Sequence, residues 1–284
     1  MIAYKTGVFD ILREEDLQNL DRQIQLSQEE NVEAFGLGLY DENLCEQLGI
    51  GTPLKSLEDR MKIAECLRGV DFVFPVTTLD QNIILSKVES AYEEYLANRE
   101  QEKANNAQEK PYDLGYAPGT YDLFHAGHLE NLSIASSQCK RLIVGVKADE
   151  LVEEHKGRKP FISDEERMEI LRHFKFVYGV YKYYTRDLHS ANENIQEVYG
   201  KPIDAVFLGS DLQKDFSRTE GLNIIYTPRD KEQMKVRSTT HYIKLKLDRE
   251  NRGRLTGKIP QISSQKEGME AAKNEGENEE EIER

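Results

Sequence analysis

Gly119-Thr120-Tyr121-Asp122-Leu123-Phe124-His125-Ala126-Gly127-His128 is the stretch from which the fold can be read. An apolar run at 114–117, interrupted by one glycine, enters it. Leu129, Leu132, Ile134 and Ala135 leave it along one helical face. The order is therefore strand, glycine turn, helix N-terminus. That order gathers free backbone N–H groups and the positive end of a helix dipole at one point, which suits phosphate oxygens. His125 and His128 add imidazole donors there, and Gly127 lets backbone or ligand approach closely between them.

Comparing the chain with itself finds the stretch again. A shift of 112 aligns Tyr4, Gly7, Asp10, Leu17, Asn19 and Leu20 with Tyr116, Gly119, Asp122, Leu129, Asn131 and Leu132. A shift of 107 then gives eleven identities in the 36 positions 38–73, Arg60 with Arg167 and Ser56 with Ser163 among them. The reading is two tandem copies of one α/β unit, with five extra residues in the first between Asp21 and Glu33. Each copy runs strand, turn, helix, strand, loop, helix, strand. In the second, strands are expected at 113–117, 142–147 and 177–181, and helices at 128–137 and 164–173. Ser163 with Glu166 three residues on has capping-box spacing. Short, nearly continuous apolar strands alternating with helices predict an α/β fold, a doubly wound parallel sheet of Rossmann-like kind. The second copy adds strands at 203–208 and 222–226 and a last helix opened by Arg237-Ser238-Thr239-Thr240; the first is truncated. The expected division is a degenerate repeat at 1–97, a linker at 98–111 (a charged helical pattern from Gln81 runs into it), a catalytic domain at 112–247 and a disordered acidic tail at 248–284.

Composition bounds the function. A net charge of −14 argues against a general nucleic-acid binder. No apolar run approaches twenty residues, so no membrane span is expected. MIAYKTGVFD has neither the basic flank nor the apolar core of a secretion signal. Three cysteines far apart in sequence read as reduced thiols, which together point to the cytoplasm.

Two histidines at this spacing lack a third metal-ligand cluster, so no protein-bound metal is read from the residues. Beside a Gly-x-x-Asp turn they instead supply N–H donors that neutralise charge on phosphate oxygens during phosphoryl or nucleotidyl transfer. Lys156, Arg158 and Lys159 form a cationic cluster in an acidic chain. Arg167 has a partner, Arg60, in the copy without histidines, which favours a structural role: holding a loop or touching the other repeat.

These residues resemble the cytidylyltransferase family, which acts on glycerol phosphate, choline phosphate or ethanolamine phosphate, and more widely the nucleotidyltransferases with a His-x-Gly-His turn. The likeness rests on Gly119 to Asp122, His125 to His128, Val144 to Glu150, Lys156-Gly157, Glu165 to Arg167, and Gly209 with Asp211. It covers about 112–246 and, more weakly, 1–76. It implies transfer of CMP from CTP to a small phosphate monoester, with pyrophosphate leaving and Mg²⁺ accompanying the nucleotide. Gly119, Thr120, Tyr121, Asp122, Gly127, Asp211, Ser238, Thr239 and Thr240 would bind nucleotide. His125, His128, Lys156 and Arg229 or Arg237 would act in catalysis. Lys156, on a mobile loop, would hold the acceptor or α-phosphate together with Arg158, Lys159 and Arg167. Family members have Arg-Thr-x-Gly-Ile-Ser-Thr-Thr near the C-terminus. Here four extra residues separate Pro228-Arg229-Asp230 from Val236-Arg237-Ser238-Thr239-Thr240, so the choice of CTP or ATP stays open. So does a nucleotide-binding sensor that has lost catalysis.

In the first copy Arg13 stands where His125 does, Asp16 where His128 does, and Gly49 where Lys156 does. Acidic side chains at a phosphate-binding helix start repel the ligand, so this copy is not expected to be catalytic. Family enzymes are commonly homodimers, which suggests that the first copy packs on the second as a pseudo-dimer within the chain; a homo-oligomer is also open.

Overall fold

The computed structural model describes residues 1–105, 109–210, 216–217, 219–228, 236, 238–256 and 270–271. The first unit holds β1 (Ile2–Gly7), α1 (Glu14–Glu29), β2 (Ala34–Tyr40), α2 (Glu42–Gln47), α3 (Leu57–Glu65), β3 (Phe72–Val76) and α4 (Gln81–Asn105). The second holds β4 (Tyr112–Gly119), α5 (Ala126–Gln138), β5 (Cys139–Lys147), α6 (Asp149–Lys156), α7 (Asp164–Arg172), β6 (Gly179–Tyr183), α8 (Leu188–Tyr199), β7 (Ala205–Gly209), β8 (Ile224–Thr227) and α9 (Thr239–Thr256). β9 (Glu270–Ala271) follows.

Both sheets are built from parallel strands. The first has the order β3-β2-β1, with β9 antiparallel on the outer side of β1. The second is β6-β5-β4-β7-β8, all parallel. This is a doubly wound, Rossmann-like α/β architecture. Its strand order reverses at β4, and the crevice outside the carboxyl end of such a strand is where ligands bind. β5 carries Leu142, Ile143, Val144 and Val146 with both faces covered, as a central parallel strand requires.

Some elements differ from the sequence reading. β6 begins two residues later than 177, because Val177 closes a turn (its N–H donates to Phe174 O, 3.1 Å) and drops its side chain into the core. α6 occupies a segment expected as a loop, since Leu151 and Val152 supply one buried face. The pattern expected to lead into a linker is α4, which covers the first sheet. Its Ile84 and Val88 are buried, and Tyr92 and Tyr95 group with Phe72 at centroid distances of 5.9 and 6.3 Å. α9 continues to Thr256, past residue 247, and Glu270–Ala271 lies in the segment expected to be disordered.

The units meet through counterpart residues. Leu67 and Phe174, which share a position under the shift of 107, form an antiparallel bridge. Arg68 N donates to His173 O (2.7 Å) and Lys175 N to Cys66 O (2.9 Å). The Arg68 side chain reaches Arg172 O and Val177 O, and Lys175 reaches Glu65 O and Val70 O. Every bond has its mirror under the same shift, the pattern of an isologous contact. One apolar cluster runs across the boundary, joining Ile63, Ala64 and Leu67 to Phe124, Leu129 and Phe174. Among the described residues no helix is long and apolar enough to cross a membrane.

Candidate functional site

The turn after β4 is made by an aromatic side chain folding back. Tyr121 takes a left-handed conformation (φ 56°), and its hydroxyl donates to Ala117 O at 3.0 Å. Its ring lies where a side chain at Gly119 would stand: an added Cβ would come within 2.7 Å. A bulky residue at positive φ is strained and persists only where its surroundings hold it. Phe9 (φ 46°) does the same over Gly7, at 2.9 Å. The turn is thus common to both units and independent of the histidines. Tyr121 is buried and lends its ring edge to His128 (5.2 Å), so it supports the site from below and does not face a ligand.

Asp122 also points inward. Its carboxylate accepts the N–H groups of Phe161 (2.9 Å) and Ile162 (3.0 Å), which ties the loop 157–163 to the turn. Asp10 binds Leu54 N (2.7 Å) and Lys55 N (2.9 Å) in the equivalent way. The expected nucleotide contact by the Asp122 side chain gives way to an anchoring role, because both of its oxygens are engaged and 2% of the residue is exposed.

Arg167 is corrected similarly as a substrate contact. At 1% exposure its guanidinium donates to Thr120 O, Lys147 O (2.8 Å), Ile162 O (3.0 Å) and the Asp149 carboxylate. Its donors are spent inside the protein, holding turn, strand end and loop together. Arg60 repeats this with Val8 O (2.9 Å), Tyr40 O (2.8 Å), Lys55 O (3.1 Å) and Glu42 (3.3 Å).

His125 is the N-cap of α5, 4% exposed, and His128 sits one turn on. Their rings stack at 3.7 Å between centroids, 21° apart. No side chain from the N-cap bonds the first-turn amides of α5. Thr239, at the start of α9, donates to Asp122 O (2.9 Å) and lies 3.4 Å from His125 Nε2. Ser238 caps α9 by accepting His241 N at 3.2 Å. Two helix N-termini, the turn backbone and two imidazoles therefore converge at the carboxyl end of β4. Thr240 is exposed, while Thr120 and Gly127 are partly so.

Lys156 is the last residue of α6, not a loop residue; Gly157 ends the helix in the left-handed conformation (φ 64°). Lys156 and Lys159 are exposed, and Arg158 lies 4.0 Å from Asp122. Lys246 of α9 stands 3.8 Å over the Phe161 ring, so α9 lies across this loop. Asp211, Arg229 and Arg237 lie outside the described residues.

Two side chains near the histidines went unread in the sequence. Tyr242 places its ring 5.7 Å from that of His125; its signal was its position three residues after Thr239, on the same helical face. Lys55, from the first unit, has its Nζ 5.6 Å from the Tyr242 centroid; nothing local to it could have announced this. Among the described residues no group of three or more His, Cys, Asp or Glu side chains is arranged to hold a metal ion.

Against known proteins, a family model described as cytidylyltransferase-like matches residues 116–264. A probable ethanolamine-phosphate cytidylyltransferase from Encephalitozoon cuniculi is 39% identical over 70 residues, 25% of this chain and 22% of that protein. FAD synthases from Pyrococcus horikoshii and Pyrococcus abyssi are each 41% identical over 59 residues, 21% of this chain and 40% of theirs. The chain thus spans well under half the length of these curated relatives. A lipopolysaccharide core biosynthesis protein from Thermoplasma volcanium, of solved structure, is 19% identical at a TM-score of 0.32, over 42% of this chain and 96% of that one.

Proposed function

The chain belongs to the cytidylyltransferase-like family, and from that premise we propose that it transfers CMP from CTP to a small phosphorylated alcohol, releasing pyrophosphate. The observation that carries this reading is the stacked His125–His128 pair at the start of α5, whose first-turn amides the N-cap side chain leaves unbonded. Triphosphate oxygens would take the Ala126 and Gly127 amides, the His128 amide being given to His125 O at 2.9 Å, together with the imidazole donors. The substrate phosphate monoester would then attack the α-phosphorus in line. Such transfer asks for positioning and charge neutralisation more than for covalent chemistry. Lys156 and Lys159, at the end of α6 and beyond it, would hold the acceptor. Mg²⁺ would be held through the nucleotide's phosphates and supply further neutralisation. The first unit, whose turn, buried arginine and anchoring aspartate repeat those of the second, is read as a degenerate copy serving as a built-in partner.

Likeness to FAD synthases favours a second reading, adenylyl transfer from ATP. Pyrophosphate release separates the two. The purified protein is offered CTP or ATP against ethanolamine, choline, glycerol and flavin phosphate monoesters. Turnover with CTP is the expected result, preference for ATP selects the second reading, and no turnover with any pair overturns both in favour of a nucleotide sensor.

A further inference from the structure

Asp59 belongs to the first unit, in the first turn of α3, and is 3% exposed. α3 packs against α5, the helix that carries the histidines. The paired contact between the units indicates where its carboxylate points. On one side Arg13, the N-cap of α1, gives Nε and Nη2 to Glu166 in the first turn of α7, at 2.7 and 3.0 Å. Exchanging each residue for its counterpart turns Arg13 into His125, also an N-cap, and Glu166 into Asp59. Each of those acids follows its capping serine by three residues. A second line reaches the same place. The Asp59 charge acts on Lys55, Lys55 lies over the Tyr242 ring, and that ring lies 5.7 Å from His125.

We propose that Asp59 is a positioning residue for the catalytic histidines, a carboxylate supplied by the first unit that faces His125 and keeps the stacked pair protonated. Its catalytic consequence rests on the transferase reading; its geometry does not. Two imidazolium rings at 3.7 Å repel, so the pair takes up a first proton far more readily than a second. A carboxylate beside His125 favours the form in which both ring nitrogens donate, one toward Asp59 and one toward phosphate oxygen. Among the described residues, the other charged or titratable groups in this region include Lys55 and Asp10 from the first unit, Arg60 on α3, Asp122 and Arg158 beneath the turn, and Tyr242 on α9. Lys55 opposes the effect, but burial pulls its ammonium below the ordinary lysine value.

The test is a histidine NMR titration of the full chain. In Asp59→Asn the His125 midpoint is expected to fall by at least about 1 pH unit, and Asp59→Glu to restore most of it. Turnover above that midpoint would fall about tenfold, in kcat rather than KM, with the pH profile displaced to acid. An unmoved His125 midpoint in Asp59→Asn overturns the proposal. Should that variant not fold, the wild-type protein decides: the Asp59 carboxyl carbon shift must inflect at the His125 midpoint, and a flat curve overturns the proposal equally. If the wild type turns over no nucleotide, the functional reading fails while the titration still judges Asp59.

Discussion

The starts of α1 and α5 stand on the same turn, yet they treat their free amides in opposite ways. At α1, Arg13 N donates to Asp16 (3.3 Å) and Glu14 N to Glu166 of the other unit (3.1 Å). The positive end of that helix already holds carboxylates, and burial raises the Asp16 pKa as a shielded acid's should be raised. At α5 the N-cap side chain bonds no first-turn amide, and the counterpart positions carry imidazoles. Carboxylates thus occupy the helix start in one unit, while imidazoles stand at the counterpart positions in the other. The scaffold beneath, Gly119 with Tyr121, Asp122 and Arg167, is the same in both.

That comparison can be broken in several places. Arg167→Ala and Arg60→Ala each strand several buried carbonyls and a carboxylate, so each should lower stability by about 3–5 kcal/mol in chemical denaturation. A large loss from one only would show that the units do not share a framework. Next, His125→Ala or His128→Ala should cost at least ~100-fold in turnover with little change in melting temperature. Arg13→His combined with Asp16→His should create no second activity, since among the described residues the first sheet has no parallel counterparts of β7 and β8. Measurable turnover surviving in a protein with His125 and His128 replaced but these two introduced would contradict that.

Gly119→Ala and Gly7→Ala press a methyl group into the Tyr121 and Phe9 rings, and should each cost about 1–3 kcal/mol by thermal unfolding. Equal losses would sharpen the equivalence of the turns. The smallest effect concerns Cys139. Burial pushes its thiol up to about 11. Its contribution to stability is fully present below the ordinary thiol value of 9.0, and is lost as pH rises toward about 11, because the unfolded thiol ionises first. Alkylation of native protein at pH 8 should leave Cys139 unmodified in peptide mass mapping; rapid labelling there would contradict its burial.

Much of this was legible beforehand. The glycine turn, the alternation of strands and helices and the match of Arg60 with Arg167 lie in local pattern and in self-similarity. α4 reads as a charged helical pattern leading into a linker because its charges cluster toward its C-terminal end, although Ile84, Val88, Tyr92 and Tyr95 fall at the helical spacing of a buried face. α6 escaped because two buried residues, Leu151 and Val152, make a weak periodic signal. A ligand contact is expected of Asp122, and of Arg167 beside the structural role its match with Arg60 favours, because charge in a motif suggests contact; the folded chain spends both on backbone groups some 20 to 47 residues away.

By itself, the sequence determined the α/β alternation and which glycine turn is followed by two histidines, since strand, turn and helix signals act over a few neighbouring residues. Only the tertiary structure decided that Arg13 grips Glu166, that α9 crosses the loop after α6, and that Lys55 of the first unit reaches the Tyr242 ring beside His125. Those contacts join residues 85 to 187 positions apart, where no local propensity operates and only tertiary packing, between the units or within the second, selects the partner.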